Sequence, residues 1–190
     1  RNLITAYQSG EVAVWRIRSG QVIHRFSNDT YNPKRMLRFA SNGIVSIASH
    51  HSKPLFLTGS QDGDVFLCNS ENGEVHEKLP KHQGSVEFVG FCQKAQSWAV
   101  TCGTDGQAFV WDIDHKSVIA VLEHPSQISS AALRQIRHYD NFTQDYLYTG
   151  AADGHVRVWD IANGRLLHDL IGFEDSVWCI SVSSDGHGIV

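Results

Sequence analysis

No apolar run in the 190 residues approaches the roughly 18 to 20 that a membrane-spanning helix needs. The N-terminal stretch also lacks the basic, then apolar, then small-residue order of a secretory signal. That second absence weighs less, because the chain opens on Arg1 rather than Met. An excess of basic charge is missing too: sixteen Lys and Arg stand against twenty Asp and Glu, a net charge of -4. This argues against direct nucleic-acid binding, which ordinarily needs a basic stripe to neutralise phosphates. The four cysteines, Cys68, Cys92, Cys102 and Cys179, form no CxxC pair and no regular framework. The chain therefore reads as a reduced intracellular protein, cytoplasmic or nuclear, with each thiol expected as a small buried apolar residue.

What is present is repetition. With 42% hydrophobic and 19% charged residues the composition is that of an ordered globular protein. Within it the stretch YTGAADGHVRVWDIANGRLLHDL, residues 148–170, spells strand, tight turn at Asp153-Gly154, strand, turn at Asn163-Gly164, strand. Three other stretches share its register. Gly10, Gly63, Gly106 and Gly154 align; five residues on stand Trp15, Cys68, Trp111 and Trp159; ten on, Gly20, Gly73, Lys116 and Gly164; sixteen on, Phe26, Leu79, Leu122 and Leu170. The turn glycines lie 53, 43 and 48 residues apart, close to the ~40 to 45 of a four-stranded repeat with insertions.

Strands are predicted at 3–7, 11–15 and 21–26, so that the first copy, residues 1–26, lacks its opening strand. Complete units are predicted over 44–79, 86–122 and 128–170, and a further one begins with a strand at 177–182 and a turn at Asp185-Gly186. Residues 27–42, with Asn28, Asp29, Asn32 and Pro33 and the basic Lys34, Arg35 and Arg38, read as a long solvated connection. Residues 134–144 read as an insertion. His50-His51 falls in a turn, and no convincing further ligands accompany it, so no metal site is expected; nor is a cofactor.

The endings Val110-Trp111-Asp112 and Val158-Trp159-Asp160, each with its Asp-Gly turn, resemble WD repeats. The resemblance covers essentially the whole chain. It implies an all-β fold, a WD-repeat β-propeller, here somewhat over four blades of an expected seven. It also implies hydrogen-bonded sets joining a histidine, a threonine, the turn aspartate and the tryptophan: His82, Thr101, Asp105 and Trp111, then His124, Thr149, Asp153 and Trp159. Hydroxyl, imidazole and carboxylate in one neighbourhood are also the makings of a nucleophilic triad. Their recurrence at fixed offsets in two units favours bracing of the hairpins, and no enzyme activity is expected. The other units depart from the pattern. Cys68 replaces the Trp, no histidine precedes Ile44, Ser9 replaces the first Asp, and Phe173 stands where a histidine is expected.

Proteins resembling this family are rigid platforms for peptides or proteins, engaged through the second-to-third strand turns and the loops between blades. The residues this assigns to a partner-binding face are Gln61, Ser85, Glu87, Thr104, Gln127, Ser129, Phe173, Glu174, Asp175, Ser176 and Trp178. Phe173 and Trp178 are the candidate anchors, and Glu87, Glu174 and Asp175 suit a basic peptide. The stretches LTGSQDGDVFLCNSENGEV, SVEFVGFC and HPSQISS further resemble the angio-associated migratory cell protein family. That resemblance implies a chaperone for a basic, unassembled ribosomal protein during ribosome biogenesis. The competing expectation is a generic adaptor, such as a ubiquitin-ligase substrate receptor or a subunit of a trafficking or chromatin complex.

Overall fold

The computed structural model describes all residues except 1, 28–29, 33–36, 40–41, 81, 96, 138–141 and 184–187. Among the described residues there is no helix, and none therefore is long and apolar enough to cross a membrane. The strands are β1 (Asn2–Ala6), β2 (Val12–Arg16), β3 (Gln21–Phe26), β4 (Tyr31–Asn32), β5 (Leu37–Arg38), β6 (Ile44–Ser49), β7 (Leu55–Ser60), β8 (Val65–Asn69) and β9 (Val75–Leu79). They continue as β10 (Val86–Phe91), β11 (Trp98–Gly103), β12 (Gln107–Asp112), β13 (Ser117–Glu123), β14 (Ile128–Arg137), β15 (Thr143–Ala151), β16 (Val156–Asp160) and β17 (Arg165–Leu170).

Consecutive strands pair into a three-stranded sheet β1-β2-β3 and four-stranded sheets β6-β7-β8-β9, β10-β11-β12-β13 and β14-β15-β16-β17. Neighbours joined by tight turns pair antiparallel. This is the all-β, blade-like architecture that the glycine register predicts. The chain divides into two compact units, Arg1–Val89 and Gly90–Val190, with β10 running through the division.

One irregularity repeats. Where the strand that follows the tight turn at Gly10, Gly63, Gly106 or Gly154 pairs with the next strand, the register slips by one residue, between Val14 and Trp15, Leu67 and Cys68, Val110 and Trp111, and Val158 and Trp159. A bulge adds one unpaired residue and tightens the strand's twist. Cys68 keeps this bulge although it lacks the indole, so the backbone pattern does not depend on the tryptophan.

In the first unit the core gathers Val12, Val14, Phe26, Phe39, Ile44, Phe56, Phe66, Cys68 and Val75. Phe26 packs edge-on against Phe56 with ring centroids 5.3 Å apart, and Phe39 lies 4.9 Å from Phe66. Each such ring, fully buried, contributes about 1.5 to 3 kcal/mol. Phe39 corrects the reading of residues 27–42 as a solvated connection: the segment contains the short hairpin β4-β5 and plants a wholly buried ring beyond it. Two-residue strands are too short to show alternation, so the flanking turn residues dominated the expectation. Of the basic residues assigned to this connection, Lys34 and Arg35 lie outside the described residues, as do Asn28, Asp29 and Pro33.

In the second unit Tyr148, Val156, Val158, Ile180 and Val182 form a core cluster. The expected insertion at 134–144 is instead a continuation of the β14-β15 hairpin, paired from Ile128 and Ala151 out to Arg137 and Thr143. The expected strand at 177–182 does not form. Val177 N–H donates to Ala151 O and Arg134 Nη2 to Val182 O, while backbone pairing is confined to the far end, where Ser181 and Val190 exchange both hydrogen bonds beside the Val182–Ile189 bridge and Ser183 N–H donates to Gly188 O. A strand needs a continuous ladder, and this short antiparallel contact does not extend back to Val177. The turn expected at Asp185-Gly186 lies outside the described residues.

Candidate protein-binding face

The tight turns between second and third strands are built alike. Their glycines Gly10, Gly63, Gly106 and Gly154 all have positive φ, between 77° and 86°. Asp105 Oδ1 accepts from Gln107 N–H at 3.1 Å, and Asp153 Oδ1 from His155 N–H at 3.1 Å, so each aspartate closes its own turn. Above Gly63, Gly106 and Gly154 lies the loop that follows the fourth strand of the same sheet. A Cβ on Gly63 would stand 2.2 Å from His82 O; on Gly106, 3.0 Å from His124 O and Ser126 O; on Gly154, 2.6 Å from Phe173 O and 3.0 Å from Asp175 O. The amides of His82 and His124 donate back to Gly63 O and Gly106 O at 3.0 and 2.8 Å. Each loop is thus seated directly on a turn.

Beneath these loops the threonines are hubs. Trp111 Nε1 donates to Thr101 Oγ1 at 2.9 Å, Trp159 Nε1 to Thr149 Oγ1 at 3.2 Å, and Trp15 Nε1 to Thr5 Oγ1 at 2.8 Å. In the second unit His124 completes the set. Its Nδ1 faces Leu122 O at 3.1 Å and its Nε2 faces Thr149 Oγ1 at 2.7 Å. The consistent tautomer donates from Nδ1 to the carbonyl and accepts the hydroxyl proton at Nε2. Burial is the main cause that lowers the His124 pKa to about 4, so the ring is neutral.

The turn aspartate departs from the expected set. Asp153 turns to Arg157, with Nη2 at 2.7 Å and Nη1 at 3.3 Å, and not to His124. Burial pushes its carboxyl up, but the Arg157 hydrogen bonds and charge bring it below the usual range. Arg157 is itself buried and also faces Asp169 at 3.6 Å, while His155 Nδ1 lies 2.8 Å from Asp169 Oδ1. Arg157 was not singled out in the sequence. Its signal was position, four residues after Asp153 across a two-strand turn.

Thr101, Thr149 and His82 are wholly buried. A nucleophile must meet its substrate, and neither threonine hydroxyl is open to one. Thr58 shows the same position without its partners: with Cys68 at the tryptophan position of the paired strand, its buried Oγ1 has no hydrogen-bond partner among the described residues.

His50 is spent structurally. Its Nδ1 accepts from Ser52 and Lys53 amides at 3.1 and 3.0 Å, and its ring stacks on His51 at 4.5 Å. Of the cysteines, Cys68, Cys92 and Cys102 are buried, and burial pushes their thiols up, with Asp145 and Asp105 adding to the shift at Cys92 and Cys102. Cys179 is exposed, contrary to expectation, because it falls in the stretch that forms no strand.

The candidate contact residues distribute as follows. In the first unit Gln61 is exposed at the β7-β8 turn, its amide donating to Gly43 O at 2.9 Å, and Ser85 and Glu87 are half-buried at the start of β10. In the second unit Thr104 is half-buried at the β11-β12 turn, and Gln127 is exposed with its carbonyl held by Ala152 N–H at 2.9 Å. Ser129 is turned inward, its hydroxyl engaged with Val177 O and, at 3.1 Å, Gly150 O. Ser176 Oγ donates to Ala152 O at 3.2 Å, and its amide donates to Asp175 Oδ1 at 2.7 Å. Gln127, Ser176 and Asp175 therefore converge on the Ala152–Gly154 turn. Phe173 and Trp178 are 62% and 81% exposed, and Glu174 and Asp175 are exposed between them. With Val177, Ile180 and Ile189 these aromatics line a concavity of about 500 Å³.

Comparison with known proteins fixes the family. The model of the WD domain, G-beta repeat, matches residues 32–69, 73–112 and 116–160. The chain belongs to the WD-repeat family. Among curated WD-repeat relatives, nuclear distribution protein PAC1 of Candida dubliniensis is 29% identical over 153 residues, covering 77% of this chain and 30% of that protein. Human angio-associated migratory cell protein is 24% identical over 205 residues, covering 100% of this chain and 44% of that protein. The chain thus spans less than half the length of these relatives. Among solved structures the computationally designed Ika8 protein matches with a TM-score of 0.75 and 25% identity, over 97% of this chain and 53% of that one. WD repeats are characteristically protein-interaction platforms, and in this WD-repeat chain the loops seated on the repeat turns carry the exposed side chains described above.

Proposed function

We propose that this chain is the binding platform of a non-enzymatic scaffold that receives a basic segment of an unassembled protein, acting in the cytoplasm or nucleus. The observation that carries the reading is the 171–178 loop, which displays Phe173 and Trp178 around Glu174 and Asp175 while its backbone is fixed on the Gly154 turn. Aromatic anchors in a fixed loop supply desolvated contact area, and the adjacent carboxylates steer positive charge. The alignment with angio-associated migratory cell protein, over all of this chain and 44% of that protein, supports the resemblance to that family, and it is this resemblance that implies a ribosomal protein as the client. Ribosomal proteins before assembly carry a large uncompensated positive charge, which an acidic, aromatic loop suits.

The alternative is a generic adaptor, and the similarity to nuclear distribution protein PAC1 favours it. Affinity purification of the full-length protein at low salt, with mass spectrometry of the co-purifying proteins, separates the two. Enrichment of one basic ribosomal protein, lost with Phe173→Ser combined with Trp178→Ser, is expected. Recovery of a ubiquitin-ligase, trafficking or chromatin complex instead would overturn the chaperone reading.

A further inference from the structure

The concavity of about 500 Å³ that Phe173 and Trp178 line is built from parts that narrow what can fill it. Val156, Leu170, Ile180 and Ile189 give it apolar walls, and the Trp178 ring, 81% exposed, is open to a ligand. Asp175 is the one charged residue among the described residues that line it. Its carboxylate is held in place: the Asp175 carbonyl oxygen rests 3.0 Å from the Cβ position of Gly154, and Oδ1 accepts the Ser176 amide at 2.7 Å.

The charge around this concavity is of one sign. No lysine or arginine occurs from 166 to 190, a stretch that contains Asp169, Glu174, Asp175 and Asp185. Elsewhere in the second unit Arg157 is buried against Asp153 and Arg134 donates to Val182 O, and neither lines the concavity. An apolar side chain seated there would cover Asp175 without pairing it, which leaves a charge desolvated and uncompensated. A lysine would pair it, but a compact ammonium holds its water strongly and gives it up at a cost in an apolar recess. An arginine matches each part: an aliphatic stem for the walls, a weakly hydrated planar face for the indole, and a donor edge for the carboxylate.

We propose that this concavity is an arginine-selective subsite, in which one arginine of the partner lays its guanidinium on Trp178 and donates to Asp175, while Glu174 draws in the neighbouring positive charge. This selectivity rests on the reading of the 171–178 loop as the receiver of a basic segment, and it sets which basic residue anchors that segment.

Anisotropy titration of the full-length protein tests it, with four fluorescein-labelled peptides that share terminal lysines and differ at one position between two leucines: arginine, lysine, citrulline or trimethyl-lysine. The arginine peptide should bind about two- to fivefold more tightly than the lysine peptide, and the citrulline peptide more weakly than both. Trp178→Leu should remove the preference for arginine over lysine while both peptides stay bound and salt-sensitive. Asp175→Asn, which keeps an acceptor for the Ser176 amide, should weaken the arginine peptide about tenfold and the citrulline peptide little. Because the four peptides are first compared on the wild type, the result stands whether or not a variant folds. Equal binding of the arginine and lysine peptides, or tightest binding of the trimethyl-lysine peptide, would overturn the subsite and leave the basic-segment reading in place. Failure of all four to bind would overturn both.

Discussion

Thr58→Val should make the protein more stable, although it removes a polar group from a position that the other repeats use as a hub. In the sheets containing Trp111 and Trp159 the equivalent threonines each accept an indole N–H, at 2.9 and 3.2 Å. Thr58 faces Phe66 across its strand pair, has Cys68 where the indole would be, and keeps a buried hydroxyl with no partner among the described residues. A buried hydroxyl without a hydrogen bond costs about 1 to 3 kcal/mol in proteins. Valine has nearly the same shape and an equal liking for a strand. The substitution therefore gains about 1 kcal/mol once small packing changes are allowed for. Thr149→Val is the mirror experiment. It orphans Trp159 Nε1–H and the lone pair of His124 Nε2, and should cost about 1 to 3 kcal/mol for each group left unpaired. Urea unfolding of the full-length protein, with both variants beside the wild type, reads the two signs. A loss of stability in Thr58→Val comparable to that in Thr149→Val would refute the reasoning.

Lys116 has a φ of 56° where the equivalent positions are Gly20, Gly73 and Gly164, so Lys116→Gly should raise stability by about 0.5 to 1 kcal/mol in the same unfolding assay. Asp105→Ala frees the Gln107 amide and should destabilise by about 1 to 3 kcal/mol, more than Ser9→Ala, and equal shifts in thermal melting would count against this ordering. His124 has its pKa lowered by burial to about 4, below the unfolded value near 6.5, so the unfolded chain binds the proton first. Its contribution is complete above pH 6.5 and is lost as pH falls toward 4, by at most about 3 kcal/mol. Melting followed from pH 7 to about 4 should show that slope, and His124→Asn should flatten it.

The repeat was legible because glycine, aspartate and tryptophan occupy positions with few substitutes: a positive φ, a turn-closing acceptor and a long-reaching donor. The same residues gave the threonine–tryptophan pairs. What the sequence concealed depends on neighbours far along the chain. Arg157 sits in an alternating strand where any residue type could stand, and only the folded hairpin brings its guanidinium to Asp153. The β14-β15 hairpin runs past Leu133 through Arg134, Gln135 and Arg137, residues whose polarity reads as loop when the partner strand is not in view. Lys94 and Phe142 lie 48 positions apart, yet Lys94 Nζ stands 3.6 Å from the Phe142 ring centroid, because Asp145 binds the loop that carries the lysine. Trp178 could be read equally as core or as anchor, since a tryptophan's sequence position says nothing of which side of a sheet will be covered.

The carbonyl oxygens of Phe173 and Asp175 rest within 3.0 Å of the place a methyl would take on Gly154. The turn is therefore a mould for the loop above it. The exposed side chains of Phe173 and Glu174 can be exchanged without touching that backbone contact, which Ser176 Oγ supplements through Ala152 O, whereas any side chain added to the turn would lift the whole display. Gly154→Ala would thus act as a binding mutation at a residue that touches no partner. The repeat motif and the recognition surface are inherited by the fold as one piece, with chemistry left variable only where it faces outward.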